Sequence, residues 1–136
     1  MAREKTSANV VSSSAAGYEA RVTVRGHELT VDEPAEDGGK DTGPTPTELL
    51  LASLASCYTL SLRWAAKHRK LPLGAVQVTA NGSYEGLKFS QIRLEVRGDL
   101  PPGEEAALLR DASRVCYVSN TLAGRVGVEV TFGGAV

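Results

Sequence analysis

The sequence of 136 residues lacks most of the motifs by which nucleotide-binding and metal-dependent proteins are recognised. It contains no G-x-x-x-x-G-K-[ST], G-x-G-x-x-G, G-x-S-x-G, H-E-x-x-H or C-x-x-C. Each of these patterns brings phosphate-binding amides, a nucleophile or metal ligands together over a short spacing. The two histidines, His27 and His68, are expected at a hairpin turn and at the basic end of a helix, where they are exposed. The sequence therefore predicts no metal and no cofactor.

The sequence also has no large excess of charge of one sign. Lys and Arg number 15 against 16 for Asp and Glu, and only 5% of the residues are aromatic. A chain with a net charge of −1 has no strong field for a polyanion, and so few rings give no stacking platform for bases. We expect no nucleic-acid partner.

Long hydrophobic runs are absent as well. The least polar stretch runs from Leu49 to Leu62, contains several serines and ends at Arg63. A membrane-spanning helix needs about 20 apolar residues, so this stretch predicts a buried helix and no membrane contact. The start, Met1 to Lys5, carries charges of both signs and precedes serine-rich sequence without an apolar region. The pattern predicts no secretory signal, and the cytoplasm is the expected location.

What is present predicts one α+β domain over residues 1–136, with mainly antiparallel sheet and residues 1–16 loosely held. Alternating apolar residues predict two hairpins and a last strand, and helical spacing predicts a second helix with a short turn after it. Val10 and Val11 could add a strand to the first hairpin. The predicted elements are hairpin 18–32, loop 33–46, hairpin 75–98, helix 104–115 and strand 126–132.

The strongest local signal marks the start of a long helix. Thr45 suits the N-cap, Pro46 suits the first helical position, and Glu48 completes a capping box. Beyond Glu48, the first half of this helix carries no charge. Such a helix must be covered on most sides, which is difficult within one domain of this size unless a second subunit helps. The sequence therefore predicts a homodimer.

The two cysteines, Cys57 and Cys116, are the first candidates for chemistry. Cys57 lies in the weakly polar half of the long helix, and Cys116 follows the second helix. A free cysteine is often buried for packing alone, so composition leaves each of them inert or reactive.

Two segments resemble the OsmC/Ohr family, named for osmotically inducible protein C and the organic hydroperoxide resistance protein. The first is the Gly43-Pro-Thr-Pro-Thr-Glu-Leu-Leu50 run, which leads into a helix that carries Cys57. The second is Cys116-Tyr-Val-Ser-Asn-Thr-Leu122, placed before the predicted final strand. With the order of strands, the resemblance covers the chain from about Tyr18 to Phe132.

The resemblance implies antiparallel sheets wrapped around a long central helix, in an intertwined dimer with its sites at the interface. It also implies a thiol peroxidase that reduces small organic hydroperoxides, with Cys57 as the peroxidatic thiol and Cys116 as the resolving thiol. An external dithiol, such as a lipoyl protein, then reduces the disulfide between them. The family activates its thiolate with an arginine of the N-terminal strands, for which Arg21 and Arg25 are the candidates and Arg21 is slightly favoured.

The acid that holds this arginine directly follows the proline in well-studied peroxidases of the family. Thr47 occupies that place here, and Glu48 comes one residue later. Glu48 and Cys57 are about two and a half turns apart on one helix, so they cannot touch within it. Glu48 is thus either a site carboxylate, acting through an arginine or across a dimer interface, or a helix cap alone.

Two hypotheses of function follow. One is the thiol peroxidase, in which Cys57→Ser abolishes activity. The other is a non-catalytic OsmC-like dimer that binds a small apolar ligand at its interface and uses its thiols only for packing.

Overall fold

The computed structural model describes residues 4–136 and has an α+β architecture with antiparallel sheets and one long helix. Residues 1–3 of the segment expected to be loosely held lie outside the described residues. In chain order the elements are β1 (Val11–Ser13), β2 (Ala20–Val24), β3 (His27–Val31), a short 3-10 helix (Ala35–Asp37), α1 (Pro46–His68), β4 (Val76–Glu85), β5 (Lys88–Gly98), α2 (Glu105–Val115) and α3 (Tyr117–Ala123).

The first sheet is antiparallel in the order β1-β2-β3. A two-residue turn joins β2 to β3, and both of its residues have positive φ, 49° at Arg25 and 83° at Gly26. Such a turn has the right-handed twist that its flanking strands need. The predicted first hairpin is confirmed, and Val11 does begin an added strand.

The loop between β3 and α1 is held by one buried carboxylate. Asp32 is 1% exposed and accepts hydrogen bonds from the N–H groups of Glu33, Lys40 and Thr42 at 2.8, 3.1 and 3.2 Å, and from the Thr42 hydroxyl at 2.9 Å. Burial opposes ionisation of Asp32, but the donation from Thr42, Glu33 and Lys40 outweighs it and lowers the pKa of the carboxyl. This predicted loop is therefore tied to the end of β3.

Helix α1 begins as the sequence predicts. Pro46 is its first residue, the Thr45 hydroxyl accepts from the Glu48 N–H at 3.2 Å, and the Glu48 carboxylate accepts from the Thr45 N–H at 2.9 Å. The helix is long and apolar enough to cross a membrane, with a mean hydropathy of 1.3 over 18 residues. It also contributes much of the core, as the central helix of a folded domain does.

The core lies where α1 packs against α2, α3 and the β4-β5 hairpin. Leu62, Leu108 and Ala112 are fully buried there. The Tyr58 hydroxyl donates to the Leu109 carbonyl at 2.9 Å and so joins α1 to α2. Burial of such side chains is the main stabilising contribution, about 1.5–3 kcal/mol for each large apolar group. The predicted second hairpin and second helix are both confirmed.

The final strand predicted over residues 126–132 is absent from the single chain. The segment has no regular secondary structure, and Val126, Val128, Val130 and Phe132 are 66%, 85%, 90% and 92% exposed. A strand forms only where a neighbouring edge accepts its backbone hydrogen bonds. The prediction of a final strand is wrong for the single chain, because residues 126–132 pair with none of the described strands, although both sheets have outer edges.

Candidate functional site

Cys57 lies near the middle of α1 and is partly buried. The hydroxyl groups around it are satisfied by the helix itself. Ser56, Thr59 and Ser61 each donate to the carbonyl four residues earlier, at 2.7, 2.9 and 2.8 Å. Ser61 donates to the carbonyl of Cys57. These internal bonds leave a helix surface that is apolar around the thiol.

Cys116 lies at the corner between α2 and α3 and is fully buried. Its backbone is extended, with φ −77° and ψ 104°, which separates the two helices. The side chain belongs to the core cluster that includes Leu54, Tyr58 and Leu62 of α1. Packing of α2 against α1 therefore sets the position of this thiol.

The structure brings these two thiols together. Cys57 packs against the core cluster that contains Cys116, its side chain is among the groups that lower the pKa of the Cys116 thiol, and both cysteines are free. Burial opposes ionisation of Cys116, but donation from the Ser119 hydroxyl, from the Ser119 N–H, from Cys57 and from the Val118 N–H lowers the pKa of its thiol. The thiol makes no capping hydrogen bond of standard geometry to α3, so several weaker donors share this effect.

An open groove of about 650 Å³ lies between α1, β5 and α3; neither cysteine lines it, but Leu54 of its wall belongs to the same core cluster as Cys116. Three elements form it and its walls are mainly apolar: Leu50 and Leu54 of α1, Ile92 and Leu94 of β5, and Leu122 of α3. Ser119 is a polar residue of the wall and also contacts Cys116. The groove could therefore hold the alkyl part of a ligand close to the thiols.

The two candidate arginines lie elsewhere in the single chain. Arg21 lies in β2, is exposed, and pairs with Glu28 across the hairpin at 2.5 Å. Arg25 is exposed in the turn that follows β2. Within the described residues, the recorded ion pair of Arg21 is therefore to a neighbouring strand, and one chain does not place either guanidinium beside the thiols.

Thr47 occupies the position expected to carry an acid, and its hydroxyl is hydrogen-bonded to a second hydroxyl. Thr47 lines the groove, and its Oγ1 lies 2.6 Å from the Tyr84 hydroxyl oxygen. Tyr84 in turn stacks on Phe89 with ring centroids 4.5 Å apart. The carboxylate of Glu48 is engaged in the capping box instead. A neutral contact thus joins the first turn of α1 to the tip of the β4-β5 hairpin.

Sequence reasoning missed the polar residues of this site other than its thiols. Ser119 could have been found, since it follows Cys116 by three residues, the spacing of a residue that contacts a helix cap. The contact of Thr47 with Tyr84 had no local signal, because 37 residues separate the two. Within residues 4–136, no three His, Cys, Asp or Glu side chains are grouped as a metal site requires.

The family model described as OsmC-like protein matches residues 38–131, which include both cysteines. The chain belongs to the OsmC-like family. Among proteins related to this OsmC-like chain, one from Haloferax volcanii, described as uncharacterized, is 28% identical over 102 residues, which is 72% of this chain and 77% of that protein.

Solved structures have the same fold. An OsmC-like protein of Mycoplasma pneumoniae has a TM-score of 0.76 at 18% identity, over 89% of this chain and 90% of its own. The organic hydroperoxide resistance protein OsmC of Legionella pneumophila has a TM-score of 0.66 at 25% identity, over 90% and 93%. An organic hydroperoxide resistance protein of Elizabethkingia anophelis has a TM-score of 0.70 at 25% identity, over 90% and 91%. The α+β fold of this chain is therefore the OsmC-like fold.

Proposed function

We propose that this OsmC-like protein is a thiol peroxidase that reduces organic hydroperoxides to alcohols. The observation that supports this most is that two free thiols 59 residues apart, Cys57 of α1 and Cys116 at the corner between α2 and α3, lie at the same part of the core. Two relatives at 25% identity are named organic hydroperoxide resistance proteins, which agrees with this activity.

The proposed reaction has two steps. The Cys57 thiolate attacks one oxygen of the peroxide bond, which breaks; the alkoxide takes a proton and leaves as the alcohol, and Cys57 becomes a sulfenic acid. The Cys116 thiolate then attacks the Cys57 sulfur, a disulfide forms, and hydroxide leaves and is protonated to water. Cys57 takes the first role because it is the less buried of the two. An external dithiol in the cytoplasm, such as a lipoyl group, reduces the disulfide.

We further propose that the protein works as a homodimer. The apolar face of residues 126–132 is almost wholly exposed in the single chain, and so is Leu60 of α1, at 62%. A second copy can supply a sheet edge for this segment, which pairs with none of the described strands of its own chain. Dimerisation is also the route by which Arg21 or Arg25, on a sheet remote from the thiols in one chain, comes to activate Cys57.

The dimer is tested by measuring molar mass against concentration for the wild type and for Val128→Asp. We expect the wild type to have twice the mass of one chain, and the variant to dissociate, because burial of a charge without a partner is strongly unfavourable. Val11→Asp, at an exposed strand residue outside this segment, is the control. A wild type that stays monomeric contradicts this part of the proposal.

The peroxidase activity is tested by counting thiols on reduced protein after one equivalent of an alkyl hydroperoxide. The wild type should lose two thiols rapidly, Cys57→Ser none, and Cys116→Ser one, with a sulfenic acid left on Cys57. Ser56→Ala, which removes an exposed hydroxyl beside Cys57, is the matched control and should behave as the wild type. Two thiols that survive in the wild type, or consumption of hydroperoxide by Cys57→Ser, contradict the proposal.

A second function is supported by the groove and by the absence of an acid at Thr47. Its mainly apolar walls and volume of about 650 Å³ suit a small apolar ligand without any reaction. The protein would then be a non-catalytic OsmC-like dimer. Slow oxidation of both thiols, together with saturable binding of a hydrophobic dye that Leu50→Asp, at a 38% exposed residue of the groove wall, abolishes, would favour this function over the first.

A further inference from the structure

Tyr84 bridges the two walls of the groove at one end. Its hydroxyl oxygen lies 2.6 Å from Oγ1 of Thr47, in the first turn of α1, and its ring stacks on Phe89 of β5 with ring centroids 4.5 Å apart. Thr47 and Phe89 both line the groove, whereas Tyr84 does not. Tyr84 therefore connects one lining residue of each wall from outside the groove. We call these three residues the closed end of the groove.

A β-bulge in β5 brings Phe89 to this end. The register shifts between Ser83 and Tyr84, so that Tyr84 pairs with Phe89 and Ser90 is the extra residue. In a regular strand, Phe89 and Ile92 would face opposite sides, because they are three residues apart. The bulge changes the alternation, and both side chains line the groove. The Ser90 hydroxyl donates to the Ser83 carbonyl at 3.1 Å and so holds the bulge.

A glycine makes room for the Phe89 ring. A Cβ atom at Gly82 would lie 2.5 Å from Cε1 of Phe89, well inside the distance at which two carbon atoms pack. Phe89 is therefore held between the backbone of β4 and the ring of Tyr84. The bulge, the glycine and the stack together fix one ring at the closed end.

The opposite end of the groove lies near the thiols. Leu54 lines the groove and belongs to the core cluster that contains Cys116. Leu94 lines it too and packs against that cluster, as Cys57 does. Leu54 follows Thr47 by seven residues, a distance of about 10 Å along α1. A ligand whose reacting group lies near the thiols therefore extends its tail toward the closed end over about this distance.

The walls between the two ends favour an alkyl tail. Leu50 and Leu122 contribute apolar surface there. Within residues 4–136, no Asp or Glu lines the groove, and its one charged lining residue, Lys88, is exposed at the tip of the hairpin. Each methylene group that such a wall buries should raise affinity about fourfold.

We propose that Tyr84 is a specificity-determining residue of the groove: it holds Thr47 and Phe89 together and so limits the length of the straight alkyl tail that fits. The inference rests on the proposed peroxidase function for the reacting group, an alkyl hydroperoxide. A tail longer than the groove must displace the tip of the hairpin from α1. The hydrogen bond between Tyr84 and Thr47 opposes this by about fivefold, the net effect of one such bond.

The test uses straight-chain primary alcohols from butanol to decanol, which are the products of the proposed reaction and do not react with thiols. Each is titrated into the reduced full chain by calorimetry. In the wild type, affinity should rise about fourfold for each methylene group and stop rising once the tail reaches the closed end. Tyr84→Phe, which keeps the ring, and Thr47→Val, which keeps the shape, should bind alcohols beyond that length about fivefold more tightly than the wild type. Shorter alcohols should bind all three proteins equally.

Two control variants separate the hydrogen bond from the substitution itself. Thr47→Ser keeps a hydroxyl at this position and should restore the wild-type limit. Tyr18→Phe makes the same chemical change at a tyrosine that precedes β2 and is 64% exposed, against 61% for Tyr84. It should bind every alcohol as the wild type does.

The outcomes distinguish this inference from the proposed function. A limit at the same length in the wild type, Tyr84→Phe and Thr47→Val overturns the role of Tyr84. A wild type that binds none of the alcohols overturns it as well, because the groove then holds no tail, and the thiol count still decides the peroxidase. A shifted limit in a protein whose thiols survive the hydroperoxide supports the closed end and refutes the peroxidase instead.

Discussion

Glu48 offers a sharp test, because a cap and a site carboxylate respond differently to the same substitutions. As a cap, its carboxylate accepts from the Thr45 N–H at 2.9 Å, while its own N–H donates to the Thr45 hydroxyl at 3.2 Å. Glu48→Gln keeps an acceptor of the same shape and removes the charge. Glu48→Ala removes both, and Thr45→Ala removes the other half of the capping box.

The expected changes in the free energy of unfolding follow from these contacts. Thr45→Ala loses an N-cap, which lowers the free energy of unfolding by about 1 kcal/mol. Glu48→Gln loses only the favourable charge at the start of α1, about 0.3 kcal/mol at an exposed site. Glu48→Ala should fall between the two. Since a domain of this kind is stable by about 5–15 kcal/mol, all three variants should stay folded at neutral pH.

The assays are denaturant unfolding and the rate of thiol oxidation by an alkyl hydroperoxide. If Glu48 is a cap, the three variants rank as above in stability and oxidise at the wild-type rate. A rate more than tenfold lower in Glu48→Gln, with unfolding unchanged, would correspond to about 1.4 kcal/mol of transition-state stabilisation. That result would refute the cap as the sole role and place the carboxylate in the site.

Two further predictions concern the core and the loop. Leu62→Ala should lower the free energy of unfolding by about 2.7–5 kcal/mol because the side chain is fully buried. Leu87→Ala, at a fully exposed residue, should change it little. Denaturant unfolding measures both, and equal effects would contradict the assignment of Leu62 to the core. Asp32→Asn should lower stability at neutral pH, because an amide cannot accept all the hydrogen bonds of the carboxylate. The pKa of Asp32 is lowered in the folded state. The stability that its carboxylate contributes is therefore present above the unfolded pKa of about 3.9 and is lost as the pH falls through the folded pKa. The unfolding midpoints of wild type and variant should converge in that acidic range, and a difference that persists would contradict the reasoning.

The sequence predicted those parts of the fold whose causes are local. The capping box at Thr45, the turn at Arg25 and Gly26, and the alternation in both hairpins each depend on residues within a few positions. The residues that stabilise these features are close to one another in the sequence. For this reason the start of α1 and the bounds of both hairpins lie within about three residues of the prediction.

The rest depended on contacts that no spacing reveals. The strand pattern of residues 126–132 was clear, but a strand also needs a partner edge, and the segment pairs with none of the described strands. The approach of Cys57 to Cys116 follows from the packing of α2 on α1. The roles of Arg21 and Arg25 depend on a second chain and stay predictions.

The exposed segment at residues 126–132 has a consequence for the fate of the unassembled chain. It is rich in valine, lacks proline and carries little charge, the composition of segments that stack edge to edge in aggregates. Glu129 within it and Arg125 before it are charges that oppose the stacking of identical copies. In the proposed dimer, pairing with one partner ends at two chains, whereas edge-to-edge stacking has no end. We expect the two processes to compete for the same valines.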